Sequence, residues 1–168
     1  MPAKEHLITR EIGIDAGHRV TYHGSKCRNI HGHRYTIQAT CAGPLFDQGE
    51  QEGMVLDFGF LKEEMMDVID GACDHGFIMW NKDPLLGTFL NMDPATLTHE
   101  TEAHRITETA VGKMYVVPFV PTAENLARHW FDLLAKRVNE RTDGQARMYQ
   151  ITVWETPNCS AQYPSVPT

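Results

Sequence analysis

Apolar residues recur at period two in several stretches of the chain, and at helical spacing in two others. Over residues 7–15, Ile8, Ile12 and Ile14 share one side of an extended segment, interrupted by Arg10, while Leu7, Thr9, Glu11 and Gly13 take the other. His18 follows just past the end of this first predicted strand. The alternation returns over 33–41, where Tyr35, Ile37, Ala39 and Cys41 interleave with Arg34, Thr36, Gln38 and Thr40. A polar connection over 42–53, rich in glycine, reads as an ordered loop or a hairpin extension. Asp57 is placed to cap a helix over 58–71, with Leu61, Met65, Val68 and Ile69 as its apolar stripe. Pro121 and Thr122 start a second helix over 122–141, whose apolar side carries Leu126, Ala127, Trp130, Leu133 and Leu134.

After Gly144, residues 147–155 read as a strand with Tyr149, Ile151, Val153 and Glu155 on one face, and a turn leads into a short last strand over 160–163. Residues 81–118 form an excursion with one short strand near 115–117. The order strand, strand, helix, excursion, helix, strand, strand predicts an α+β domain. Its four-stranded antiparallel sheet would carry two helices on one face.

With 168 residues and 42% hydrophobic content, the chain supports one domain, 1–168, with a substantial core. The net charge of −7, without a block of Lys or Arg, argues against nucleic acid and for a small-molecule substrate. The first twenty residues hold neither a signal-peptide core nor a membrane span, so a cytoplasmic protein is expected. Four cysteines without repeated spacing then read as catalytic, metal-binding or buried thiols rather than bridges.

Chemistry concentrates in Cys27-Arg28-Asn29-Ile30-His31-Gly32-His33, one thiol and two imidazoles within seven residues. At strand period His31 and His33 project from one side, a workable geometry for two nitrogen ligands. With His18 they form a three-histidine set that leaves a fourth position open, as catalytic zinc sites do, although two of them also read as loop histidines. Cys27 is either a fourth ligand, which would close the site, or a free thiol activated by its surroundings. Asp74-His75 suits a proton relay or a plain loop after the helix. Glu155 ends an apolar strand face, where a carboxylate needs a partner such as the amidine-like edge of a heterocycle, unless the strand end is simply at the surface.

Six segments together resemble the family of 6-pyruvoyl-tetrahydropterin and 6-carboxy-tetrahydropterin synthases: Asp15 to Arg19, Cys27 to His33, Val55 to Phe58, Cys73 to His75, Pro121 to Asn125 and Val153 to Thr156. They follow the family order over nearly the whole chain. The resemblance implies a tunnelling fold, in which protomers join their sheets into a barrel and form active sites between subunits of a homo-oligomer. It also implies that His18, His31 and His33 bind zinc, that Cys27 is the catalytic base, that Asp74 and His75 form its partner relay, and that Glu155 anchors the pterin ring.

The thiol four residues before the H-G-H resembles the carboxy-forming branch. That branch converts 7,8-dihydroneopterin triphosphate to 6-carboxy-5,6,7,8-tetrahydropterin, acetaldehyde and triphosphate, towards 7-deazaguanine nucleosides such as queuosine. The pyruvoyl-forming synthase and a zinc-stabilised pterin-binding module without turnover are the alternatives. Lys26 and Arg28 are either triphosphate contacts or solvated loop residues, and His23, His99 and His104 carry no role implied by the family. Two departures stand out: Gly17 where alanine is common, and the length of 81–118.

Overall fold

Two long strands organise the domain, and their alternation is the reason. In the computed structural model, which describes residues 4–97 and 101–165, seven strands form one sheet. They are β1 (His6–His18), β2 (His31–Gly43), β3 (Gly76–Trp80), β4 (His104–Ile106), β5 (Met114–Val117), β6 (Arg147–Thr156) and β7 (Cys159–Tyr163), in the spatial order β4-β5-β3-β1-β2-β6-β7. His99 lies outside the described residues. β1 and β2 pair antiparallel from His6↔Gly43 to His18↔His31, which puts Ile12, Ile14, Ala16, Tyr35, Ile37, Ala39 and Cys41 on one buried face. Both strands run beyond the expected limits, so His18 and His31 are strand residues rather than loop residues.

That face is covered by two helical segments. α1 (Phe58–Met65) is capped by the Asp57 carboxylate, which accepts the N–H of Gly59. It runs on through a π-helical turn, Met66–Asp70, into a last α-turn, Gly71–Cys73. α2 (Ala123–Arg141) is capped by Thr122 and buries Leu126, Ala127, Trp130, Leu134 and Val138 against the sheet. Among the described residues no helix is long and apolar enough to cross a membrane.

The sheet differs from the expected four antiparallel strands: it has seven, and it is mixed. β1 pairs β3 in parallel and β3 pairs β5 in parallel, while β4 returns antiparallel to β5. The expected four strands are its β1-β2-β6-β7 portion. β5 is the short strand expected near 115–117; β3 escaped the period-two reading because both its faces are covered, which erases polar alternation. Ile78, Tyr115 and Val117 join the main core; Met79, Met114 and Val116 join a second one with Leu86 and Leu90 of the 81–118 segment. That segment therefore closes over the sheet face opposite the helices. In β6, a bulge opposite Thr40 and Cys41 shifts the phase, so that Met148, not Tyr149, shares the buried face with Ile151 and Val153.

Gly17 has a steric reason. A Cβ there would stand 2.6 Å from Cδ2 of Phe77, its partner in the β1–β3 register, and Phe77 packs in turn on Phe89, centroids 6.3 Å apart. The two departures from the family pattern are thus connected, since the segment that covers Phe77 limits the ring's freedom to move aside. Gly17→Ala is expected to destabilise the fold by about 1–3 kcal/mol. In a Phe77→Ala background the penalty should vanish, and a double-mutant cycle by urea denaturation reads the coupling. Equal penalties in both backgrounds would exclude this contact as the cause.

Candidate metal centre and active site

Strand pairing, rather than loop proximity, assembles the three histidines. His18 closes β1 directly opposite His31, and His33 lies one strand period further along the same face of β2. One ring nitrogen of each lies within 4.8 Å of those of the other two. His18 is buried; His31 and His33 are half-buried, which leaves the cluster open on one side.

Hydrogen bonds settle two tautomers. His18 Nδ1–H donates to the Pro121 carbonyl at 2.7 Å, and His31 Nδ1–H to the Asn29 carbonyl at 2.7 Å. Carbonyls only accept, so both protons are committed outward and both Nε2 lone pairs turn inward. Those two Nε2 atoms face each other at 3.1 Å, a repulsive arrangement unless a proton or a metal cation lies between them. Burial, with Coulomb repulsion from His31 and His33, brings the His18 pKa down to about 4 despite the carbonyl bond, and burial lowers that of His33 as well. Neither His18 nor His33 therefore favours a proton at neutral pH. Three imidazoles, two of them with the second ring nitrogen held by a backbone carbonyl, are a donor set that fits a divalent transition metal with an open position.

Glu155, near the end of β6, brings Oε1 to 3.9 Å from His18 Nε2. Its pKa is pushed up by burial and by Glu124 at the start of α2, against the pull of His31. The carboxylate thus borders the histidine cluster on the helix-covered face rather than ending in solvent. Tyr35 lines the same region: its ring meets those of His18 and His33 edge-on, at 5.7 and 5.4 Å between centroids, and its buried hydroxyl has no hydrogen-bond partner among the described residues. Sequence reasoning counted Tyr35 only as core, since an aromatic on the apolar side of a strand gives no other signal.

Cys27 sits half-buried in a single 3₁₀ turn, Lys26–Arg28, on the loop whose two ends carry His18 and His31. Its thiol does not join the three-histidine group, which leaves the fourth position free. Cys41 and Cys73 are buried in the core, and Cys159 is exposed. Lys26 and Arg28 are exposed, as is His23.

Asp74 and His75 do form a pair, although neighbours in an extended chain point apart. His75 adopts φ +52°, and its Nδ1–H donates to Asp74 Oδ2 at 2.6 Å. The other oxygen, Oδ1, accepts the Asp15 N–H at 2.8 Å, while the His75 N–H donates to the Asp15 carbonyl at 2.7 Å. Partial burial opposes the Asp74 charge, but the Asp15 N–H and the His75 ring hold its pKa below the usual range; that hydrogen bond raises His75.

Within one chain this pair does not meet the histidines. It groups with Asp15, which is exposed on the face of β1 opposite the one presenting His18. The His75 side chain is 79% exposed. The pair is built, but it points away from the three histidines of its own chain.

Residues 7–165 match the family model described as 6-pyruvoyl tetrahydropterin synthase. A 6-carboxy-5,6,7,8-tetrahydropterin synthase of Haemophilus influenzae is 31% identical over 156 residues, covering 93% of this chain and 96% of that protein. One of Rickettsia bellii is 33% identical, over 90% of this chain and 94% of the relative. Among solved structures, an uncharacterised protein of Wolinella succinogenes superposes with a TM-score of 0.72 at 23% identity, covering 95% of this chain and 98% of the other. The 6-pyruvoyl tetrahydropterin synthase of Plasmodium vivax gives a TM-score of 0.63 at 20% identity, over 95% and 96%. These two likenesses concern the fold.

Proposed function

The chain belongs to the 6-pyruvoyl tetrahydropterin synthase family, and we propose that it is a zinc-dependent 6-carboxy-5,6,7,8-tetrahydropterin synthase. It would convert 7,8-dihydroneopterin triphosphate to 6-carboxy-5,6,7,8-tetrahydropterin, acetaldehyde and triphosphate, on the route to 7-deazaguanine nucleosides such as queuosine. The observation that carries the reading is the facing pair of imidazole lone pairs at 3.1 Å, bordered by a carboxylate that no protein cation neutralises at hydrogen-bonding distance among the described residues. The first calls for a metal; the second suits the amidine-like edge of a pterin. The choice of the carboxy-forming branch is supported by relatives of that name over at least nine-tenths of the chain.

His18, His31 and His33 would hold the zinc. Bound there, it supplies a Lewis acid that polarises side-chain hydroxyls of the substrate and stabilises the charge that develops on them. Glu155 orients the pterin by accepting two parallel N–H bonds, which places the substrate side chain towards the metal. Cys27 takes a proton from a carbon of that side chain as general base. His75, held in one tautomer by Asp74, moves the opposing proton.

The outward-facing relay supports a homo-oligomer in which His75 of one protomer serves the metal site of the next. This gives active sites between subunits without any rearrangement of the protomer.

Incubating the zinc-loaded protein with 7,8-dihydroneopterin triphosphate and identifying the products tests the proposal. Acetaldehyde with 6-carboxytetrahydropterin is the expected result. A pyruvoyl pterin would assign the chain to the sister reaction, and binding without turnover would make it a pterin-binding module.

A further inference from the structure

We propose that Asp83, where the 81–118 segment leaves β3, is a positioning residue for Cys27: it holds the loop after His18 in the one conformation that presents the thiol to the site. The proposal rests on the reading of Cys27 as the reacting base. Asp83 is unusual in being a carboxylate with a fully buried side chain, which is costly unless every charge-bearing oxygen is matched. It is matched by three donors. Arg19 Nε–H at 2.8 Å and Thr21 Oγ1–H at 2.6 Å both reach Oδ2, and the Leu85 N–H reaches Oδ1 at 2.8 Å.

Two of these donors flank Val20, and Val20 holds the thiol's own turn. The Val20 N–H donates to the Cys27 carbonyl at 2.8 Å, and its carbonyl accepts the His23 N–H at 3.0 Å. The mechanical path runs from Asp83 through Arg19 and Thr21 to Val20 and then to Cys27. A second tie lies beside it, where Tyr22 meets Trp80 at the end of β3 edge-on, at 6.1 Å between centroids.

Residues 23–26, between these ties and Cys27, are all exposed, so no packing of their own fixes where the turn stands. A buried, charge-assisted anchor that grips the chain one and three residues after His18 provides what packing does not. The segment that lengthens this chain relative to the family pattern is thus also the one that steadies its thiol.

The test uses a Cys159→Ser background, in which Cys27 is the remaining accessible thiol because Cys41 and Cys73 are buried. Asp83→Asn, Thr21→Val and Thr21→Ser are compared in the full-length zinc-loaded protein. The readouts are the rate of Cys27 alkylation by iodoacetamide, kcat and KM with 7,8-dihydroneopterin triphosphate, zinc content and the thermal midpoint.

Asp83→Asn should speed alkylation severalfold and lower kcat by about tenfold to a hundredfold, with KM and zinc content within about twofold of the parent. Thr21→Val should move both in the same direction by less, and Thr21→Ser should restore them. If Asp83→Asn does not fold, the two Thr21 variants decide alone.

Unchanged alkylation and kcat in Thr21→Val and Asp83→Asn would overturn the proposal. So would a loss of thermal midpoint and zinc that Thr21→Ser does not rescue, because that is the signature of a merely structural staple. Full turnover by Cys27→Ala would instead sink the reading of Cys27 as base. In that event the alkylation rates alone still decide whether Asp83 positions the loop.

Discussion

His18→Ala and His33→Ala are both expected to lose bound zinc and all measurable turnover, but only His18→Ala should cost the fold as well. If about 10–16 kcal/mol of zinc binding is shared among the ligands, one imidazole accounts for at least about two orders of magnitude in affinity. Both variants should therefore emerge from gel filtration without metal. Their stabilities diverge because their surroundings differ. His18 is 1% exposed and its Nδ1–H satisfies the Pro121 carbonyl just before α2, so its removal leaves a cavity and an unpaired acceptor, at about 2–4 kcal/mol. His33 is half-buried and makes no such anchoring bond among the described residues, so its truncation should stay within about 1 kcal/mol in the metal-free state. Metal analysis with urea denaturation of the apoproteins separates the two effects. Stoichiometric zinc in either variant would remove that histidine from the ligand set.

Cys27→Ala should behave in the opposite way, with zinc and stability retained and turnover reduced by about 10²- to 10⁴-fold, the range for a lost general base. The thiol is half-buried, lies on a three-residue turn and stands outside the histidine group, so neither packing nor coordination depends on it. If zinc leaves with the thiol, Cys27 is a ligand and the site is closed.

The same variant also probes the outward-facing relay. Mixed with His75→Ala protomers and reassembled, Cys27→Ala should recover about a quarter of wild-type activity, because random assembly pairs an intact thiol with an intact relay in that share of intersubunit sites. Recovery of nothing above the two separate variants would place thiol and relay in the same protomer.

Much of this site was legible before any tertiary structure. His31 and His33 share a face because strand alternation is local, and the caps at Asp57 and Thr122 follow from side-chain chemistry next to an apolar stripe. Glu155 was marked by a carboxylate on an apolar face, and it does border the histidines. Asp83 left no comparable mark. A lone acid between Lys82 and Pro84 reads as a solvated turn, and only the fold brings Arg19 and Thr21 to it from more than sixty residues earlier in the chain.

By itself, the sequence determined the antiparallel β1-β2-β6-β7 portion, the two covering helices and the shared face of His31 and His33, since each depends on spacing within a few positions. Tertiary structure alone decided three things. It set β3 into the sheet beside the short strand expected at 115–117, because a strand covered on both faces carries no alternation to read. It turned Asp74 and His75 to the side of β1 away from His18, because which face a loop meets depends on the parallel pairing of β1 with β3. And it folded Leu86, Phe89 and Leu90 onto the face of β3 that carries Phe77 and Met79, because burial of an apolar face is settled by what arrives to cover it, not by the residues that expose it.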